Sequence, residues 1–144
     1  MSDEDPYADI DYDKLGLLIG RLVAMLCGSI KIQLDKLTLV ASQFKPRDKR
    51  VFTGYLWGLS TAIAEQAGLK TSGIISKGIY AGVARYFLLE EGRRLLEDLD
   101  SLIEIADEDF TRGVTGGGED ADAIREGKGD LPGLHRCFSK DSGT

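Results

Sequence analysis

The sequence predicts an all-α fold, a bundle of four or five helices between an acidic N-terminal leader and a flexible C-terminal tail. Three observations favour this class. Apolar residues recur at spacings of three and four along residues 14–106, glycines four apart repeat in three segments, and a glycine-rich acidic composition begins only beyond residue 107. With 144 residues, 42% of them hydrophobic, the chain suits one domain with one modest core.

The leader comprises residues 1–13 and carries six aspartates and glutamates. A secretory signal would be basic at this position, and no uninterrupted apolar stretch reaches the roughly 18–20 residues of a membrane span. We therefore expect a cytoplasmic chain without a membrane span. Asp11 or Asp13 is suited to cap the first helix, because a carboxylate accepts hydrogen bonds from the free N–H groups of a helix start.

The first helix is predicted over residues 14–28. Leu15, Leu18, Leu22 and Met25 share one face, and further apolar residues widen it so far that we expect this helix to be buried on several sides. Gly28 is the expected end of the helix, since glycine commonly follows the last helical residue.

Residues 29–44 admit two interpretations. Ile30, Ile32 and Leu34 alternate with polar residues as in a strand, whereas the apolar residues after them follow helical spacing. A second helix is the favoured interpretation. A short hairpin, which would make the fold α+β, is the alternative.

Two longer helical segments complete the predicted domain, which spans residues 14–112. The first runs over residues 49–67 and is expected to end at Gly68, after a basic loop in which Pro46 ends the preceding helix. The second runs over residues 73–106, with Gly92 as the place where it kinks or divides.

Residues 113–144 are predicted to form a flexible tail. Their glycine content and low hydrophobicity predict too little buried surface to offset the entropy lost on ordering. One apolar motif at residues 131–138 interrupts the tail, and it is predicted to dock either on the domain or on a partner.

Glycines at helical spacing are the least ordinary feature of the sequence. Each glycine within a helix costs about 1 kcal/mol relative to alanine, so close packing along these rows is expected to offset the cost. The packing is either within the chain or against another subunit, and both interpretations stay open. The pairs are Gly16 and Gly20, Gly54 and Gly58, and Gly78 and Gly82.

Composition and motifs favour an interaction protein over an enzyme. The net charge of −6 disfavours nonspecific binding to nucleic acid, and no phosphate-binding loop or nucleophile motif occurs. His135 and Cys137 lack further metal ligands nearby, so neither a metal nor a cofactor is expected. Cys27 and Cys137 are expected to be free thiols, with a single bridge between them as the alternative.

The predicted function is therefore a protein-protein interaction module, such as an adaptor, a chaperone-like factor or an assembly subunit, that self-associates through close helix packing or binds a protein partner. Its expected surface consists of the six paired glycines and the exposed aromatic residues around Trp57. The alternative is a regulator associated with nucleic acid, in which cations flanked by aromatic residues bind phosphates. That anion site would consist of Lys45, Arg47, Lys49 and Arg50.

Overall fold

The computed structural model describes residues 11–66, 72–128 and 130–138, and the regular secondary structure of these residues is entirely helical, without a strand. The all-α class is confirmed, but the described residues form six α-helices rather than the predicted four or five. These are α1 (Tyr12–Lys36), α2 (Pro46–Gln66), α3 (Ser72–Leu88), α4 (Glu90–Ile105), α5 (Glu108–Arg125) and α6 (Pro132–Phe138), with a 3₁₀ turn at Ala41–Gln43.

Helix α1 continues through the predicted end at Gly28. The Asp11 side chain caps its start, accepting hydrogen bonds from the backbone N–H groups of Asp13 and Lys14 at 3.1 and 3.2 Å. Neither a separate second helix nor a hairpin forms over residues 29–44, because Leu26, Ile30 and Leu34 keep one buried stripe in register past the glycine.

Helix α1 ends at a left-handed residue, Thr38, with φ of 58°. The Leu39 N–H then bonds back to the Leu34 carbonyl at 2.9 Å, which satisfies one of the last free carbonyls of the helix. Pro46 is the first residue of α2. A first helical position suits proline because its missing N–H would have no partner there.

Helices α2 and α3 together supply half of the buried hydrophobic core. Phe52, Tyr55 and Leu56 of α2 are buried, and Ile75 and Ile79 of α3 pack in the same cluster. The predicted helix end at Gly68 lies outside the described residues.

The division of the segment 73–106 falls at Leu89 rather than at Gly92. Leu89 takes a left-handed φ of 54°, and Gly92 lies within α4. The turn allows α4 to pack back along α3 and to bury Leu99 in the core. A straight helix would instead carry these residues away from the core.

The predicted flexible tail is the largest difference between sequence and structure. Residues 113–125 belong to α5, which forms the most extensive helix-helix contact in the protein, with α2. The motif at 131–138 contains the whole of α6, which packs on α5, and the motif places Leu131 and Leu134 in the core. Residues 1–10, 129 and 139–144 of the predicted leader and tail lie outside the described residues.

Candidate interaction surface

Two of the predicted glycine pairs are used for packing within the chain. A Cβ atom added at Gly54 or Gly58 would overlap the backbone carbonyl of Phe110 or Val114 in α5. In α5, Gly113 and Gly117 face the α2 backbone in the same way, at the carbonyls of Val51 and Tyr55. The two helices therefore approach backbone to backbone, with two glycines from each.

The pair in α3 faces the side chains of α1. A Cβ atom at Gly78 would lie 3.0 Å from a methyl group of Ile19, and one at Gly82 would lie 2.7 Å from a methyl group of Val23. Gly54, Gly58, Gly78 and Gly82 therefore line contacts inside the protein rather than an outer surface.

Gly16 and Gly20 lie on the outside of α1. No atom of the described residues lies within 4 Å of a Cβ built at either position, and the same holds for Gly28. Together with exposed Ala24, these glycines form a shallow row along the helix. Of the six predicted surface glycines, only this pair is open to another molecule.

Large apolar side chains flank the shallow row. Tyr12, Leu17, Met25 and Ile32 are 57%, 63%, 43% and 56% exposed. The expectation that α1 is buried on several sides is wrong, because only 22% of its most apolar 18-residue window is buried. We call this exposed strip the α1 outer face; it comprises Leu17, Gly20, Arg21, Ala24, Met25, Gly28 and Ile32.

By length and composition, α1 is the one described helix that could cross a membrane. Its opposite side, however, carries Leu26, Ile30 and Leu34, which are 0–3% exposed in the protein core. Gln33 is also buried there, and its carboxamide oxygen lies 2.6 Å from the His135 ring nitrogen of α6. This side of α1 is thus an integral part of the packed domain.

Trp57 is half-buried and does not form an exposed aromatic patch. Its ring packs edge-on against Tyr80, with centroids 5.8 Å apart. The neighbouring aromatic residues Phe52 and Tyr55 are fully buried. The aromatic surface expected around Trp57 is therefore part of the core.

The basic segment lies beside the start of α5. Arg47 Nε lies 3.2 Å from Asp109 Oδ1, and an Arg50 guanidinium nitrogen lies 3.1 Å from Asp109 Oδ2. A second Arg50 nitrogen lies 3.7 Å from Asp107. Burial raises the pKa of the Asp109 carboxyl, but the hydrogen bonds from Arg50 and Arg47 outweigh this effect and hold the pKa below its usual value.

These ion pairs occupy two of the four cations in the predicted anion site. Lys45 is exposed, whereas Lys49 is half-buried. A phosphate would have to compete with Asp107 and Asp109 for Arg47 and Arg50, which weakens this segment as a nucleic-acid site.

A buried polar cluster around Asp120 joins three helices, and no sequence motif indicated it. Asp120 is fully buried in α5 and accepts a hydrogen bond from the Tyr55 hydroxyl of α2 at 2.6 Å. It also accepts the backbone N–H groups of Gly133 and Leu134 at 2.7 and 2.8 Å, at the start of α6. Burial raises the pKa of Asp120, while these three donors act in the opposite direction.

Both cysteines are buried free thiols. Burial raises the pKa of Cys27 and raises that of Cys137 to about 11, so both are poor nucleophiles near neutral pH. Cys137 borders a cavity of about 260 Å³ between α5 and α6, together with Arg112, Thr115 and Arg136. No general base lines that cavity within the described part of the chain.

A second cavity of about 240 Å³ lies at the end of α1, lined by Leu34, Leu39, Val40, Tyr86 and Phe87 among others.

Within residues 11–66, 72–128 and 130–138, no three side chains of His, Cys, Asp or Glu are grouped as metal ligands. The chain matches no protein-family model, and no curated protein or solved structure is significantly similar to it. The α1 outer face is therefore the most distinctive candidate surface.

Proposed function

We propose that this protein is a non-enzymatic protein-protein interaction module, such as an adaptor or assembly subunit, that self-associates through the α1 outer face. The observation that carries the proposal is the exposure of Leu17, Met25 and Ile32 along one side of a helix whose other side is in the core. A contiguous apolar surface that the described residues leave uncovered is typical of interaction sites.

The shape of the strip supports helix packing as the mode of association. Gly20, Ala24 and Gly28 have no side chain beyond a methyl group, so another helix can approach the α1 backbone closely. The flanking Leu17 and Ile32 side chains would then be covered by that helix. Burying a side chain of this size contributes about 1.5–3 kcal/mol, which is the main source of affinity expected here.

The interface is expected to be modest. Helix α1 has 25 residues and is therefore about 37 Å long at 1.5 Å per residue. One helix face of this length lies at the small end of the range of specific interfaces, so the association should be reversible and depend on protein concentration.

The proposal is tested by light scattering coupled to size-exclusion chromatography, at low and high salt. Wild-type protein should form a defined oligomer that persists at high salt, since apolar burial is not screened by ions. The Leu17→Glu variant should be monomeric at the same concentration. The matched control is Ile105→Glu, because Ile105 is 67% exposed on α4 and lies outside the strip.

Two results would reject the proposal. One is a monomeric wild-type protein at every concentration. The other is an oligomer that Leu17→Glu and Ile105→Glu leave equally intact. Flotation with lipid vesicles is run in parallel, and vesicle binding that requires Leu17 would assign the α1 outer face to a membrane instead.

A further inference from the structure

Two exposed apolar side chains mark the two ends of the α1 outer face. Leu17 and Ile32 are the large apolar residues nearest its two ends, and both are more than half exposed. They are 15 residues apart, roughly four helical turns, so they lie on the same side of the helix. The midpoint between them falls between Ala24 and Met25.

We infer that two copies of the chain pair their α1 helices antiparallel, about a two-fold axis that passes between Ala24 and Met25. In this register Leu17 of one copy lies against Ile32 of the second copy, and the reverse contact follows from the symmetry. The inference rests on the proposed self-association and specifies its partner and orientation.

Charges at the two ends of α1 select the antiparallel arrangement. In the register that joins Leu17 to Ile32, Lys14 faces Asp35 of the second copy. Both residues are exposed, and they lie within about 60° of each other around α1. A parallel pair would instead bring Lys14 against Lys14 and Asp35 against Asp35, which repel each other.

The charged residues near the end of α1 can exchange their ion pairs within one copy for ion pairs with the second copy. Asp35 pairs with Lys31 of its own helix at 3.4 Å, and Lys36 lies 3.9 Å from Asp130. The side chains in these two pairs are 55–83% exposed. Such exposed pairs contribute little and rearrange readily, so they do not hinder contacts with a second copy.

The same register accommodates Arg21, the charged residue of the α1 outer face. Arg21 faces Gly28 of the second copy, where no side chain fills the space. The aliphatic stem of Arg21 can therefore lie across the partner helix while its guanidinium reaches water. A parallel pair would place the two Arg21 side chains against each other.

Disulfide cross-linking tests the orientation. Leu17→Cys and Ile32→Cys are made separately in a chain that also carries Cys27→Ala and Cys137→Ala. A disulfide requires Cα atoms within about 7 Å, so neither variant alone should form a covalent dimer, whereas an equimolar mixture should form a Leu17→Cys/Ile32→Cys heterodimer. Ala24→Cys, beside the axis, is the positive control and should cross-link to itself.

A covalent dimer from Leu17→Cys alone, with no gain on mixing, would overturn the antiparallel register while leaving self-association intact. A non-covalent oligomer without any of these cross-links would overturn it as well. A monomer in light scattering would instead reject the proposed function itself. The two failures are thus distinguished.

Charge reversal gives a second measurement that keeps the native cysteines. Lys14→Glu and Asp35→Lys should each raise the dissociation constant of the homodimer about tenfold, because each creates two like-charge contacts. A mixture of the two variants restores opposite charges at both contacts and should associate as tightly as wild type. Homodimers unaffected by either substitution at low salt would contradict the register.

Discussion

The Tyr55 hydroxyl donates a 2.6 Å hydrogen bond to Asp120, a residue 65 positions further along the chain. The bond joins α2 to α5 inside the core, and the same carboxylate caps α6 through two backbone N–H groups. One side chain thereby links α2, α5 and α6 in the core, in addition to the packing between these helices.

Removing the Asp120 carboxylate should be among the most destabilising single changes in this protein. Asp120→Ala leaves three buried donors without an acceptor, so we expect a loss of about 3–5 kcal/mol in the free energy of unfolding. Tyr55→Phe removes one donor and should cost about 2 kcal/mol. Chemical denaturation followed by circular dichroism measures both.

Asp122→Ala is the matched control for that experiment. Asp122 lies on the exposed side of the same helix and accepts one hydrogen bond from the Gln66 side chain at 3.1 Å. Its replacement should change the free energy of unfolding by about 0.5 kcal/mol or less. Equal effects of Asp120→Ala and Asp122→Ala would show that the buried cluster does not fasten α6.

Two adjacent glycines in α5 should respond oppositely to the same substitution. Gly117→Ala drives a methyl group into the Tyr55 carbonyl, which belongs to the α2 backbone and cannot move aside, so we expect a loss of about 2–3 kcal/mol. Gly118 has no atom within 4 Å of a built Cβ, and Gly118→Ala should gain about 0.5–1 kcal/mol from helix propensity. Thermal unfolding of the two variants measures the contrast. Similar effects of both substitutions would rule out a tight α2–α5 crossing.

The ion pairs of Asp109 should make part of the stability depend on pH. The pKa of Asp109 is lowered from 3.8 in the folded protein, so its contribution is complete well above that value and is lost as the pH falls through the folded pKa. Wild type should exceed Asp109→Asn by about 1 kcal/mol at pH 7, a small value because Arg47 is 65% exposed. The difference should shrink below about pH 4. Urea titrations across pH 3–7 measure it, and a difference that grows as the pH falls would contradict the assigned pairing.

Periodicity predicted the helical class. Residues of α2 and α3 such as Phe52, Leu59, Ile75 and Val83 recur at helical spacing, and the structure buries all four. The predicted end of α1 at Gly28 was wrong, because the buried apolar residues of the helix continue at helical spacing on both sides of this glycine. A glycine costs about 1 kcal/mol within a helix, which the buried residues on both sides of it outweigh.

Residues 113–125 were wrongly predicted to be flexible, for a related reason. Gly113, Gly116 and Gly117 suggested disorder by composition, yet each lies in a close contact between helices. Gly113 and Gly117 are four residues apart, as are Gly54 and Gly58 in α2, and this match was the signal for two closely packed helices. Asp120 carried no such signal, because its partners are a distant tyrosine and two backbone N–H groups.

The candidate surface was predicted only in part. The sequence indicated Gly16 and Gly20 together with four other glycines, and helical spacing alone does not tell an inner row from an outer one. Whether a glycine row is buried or exposed depends on which side of its helix the neighbouring helices cover. For α1, the buried stripe through Leu26 and Ile30 directs the glycines outward.

The rate of thiol labelling on the α1 outer face, measured as a function of protein concentration, tests the proposed surface most directly. The native thiols suit the experiment because both are buried with raised pKa values and should react slowly. Ile32→Cys provides the reporter, and Ile105→Cys provides the exposed control. Labelling of Ile32→Cys should slow as concentration rises while that of Ile105→Cys stays constant, because self-association covers only α1. Equal, concentration-independent rates at both positions would contradict the proposal.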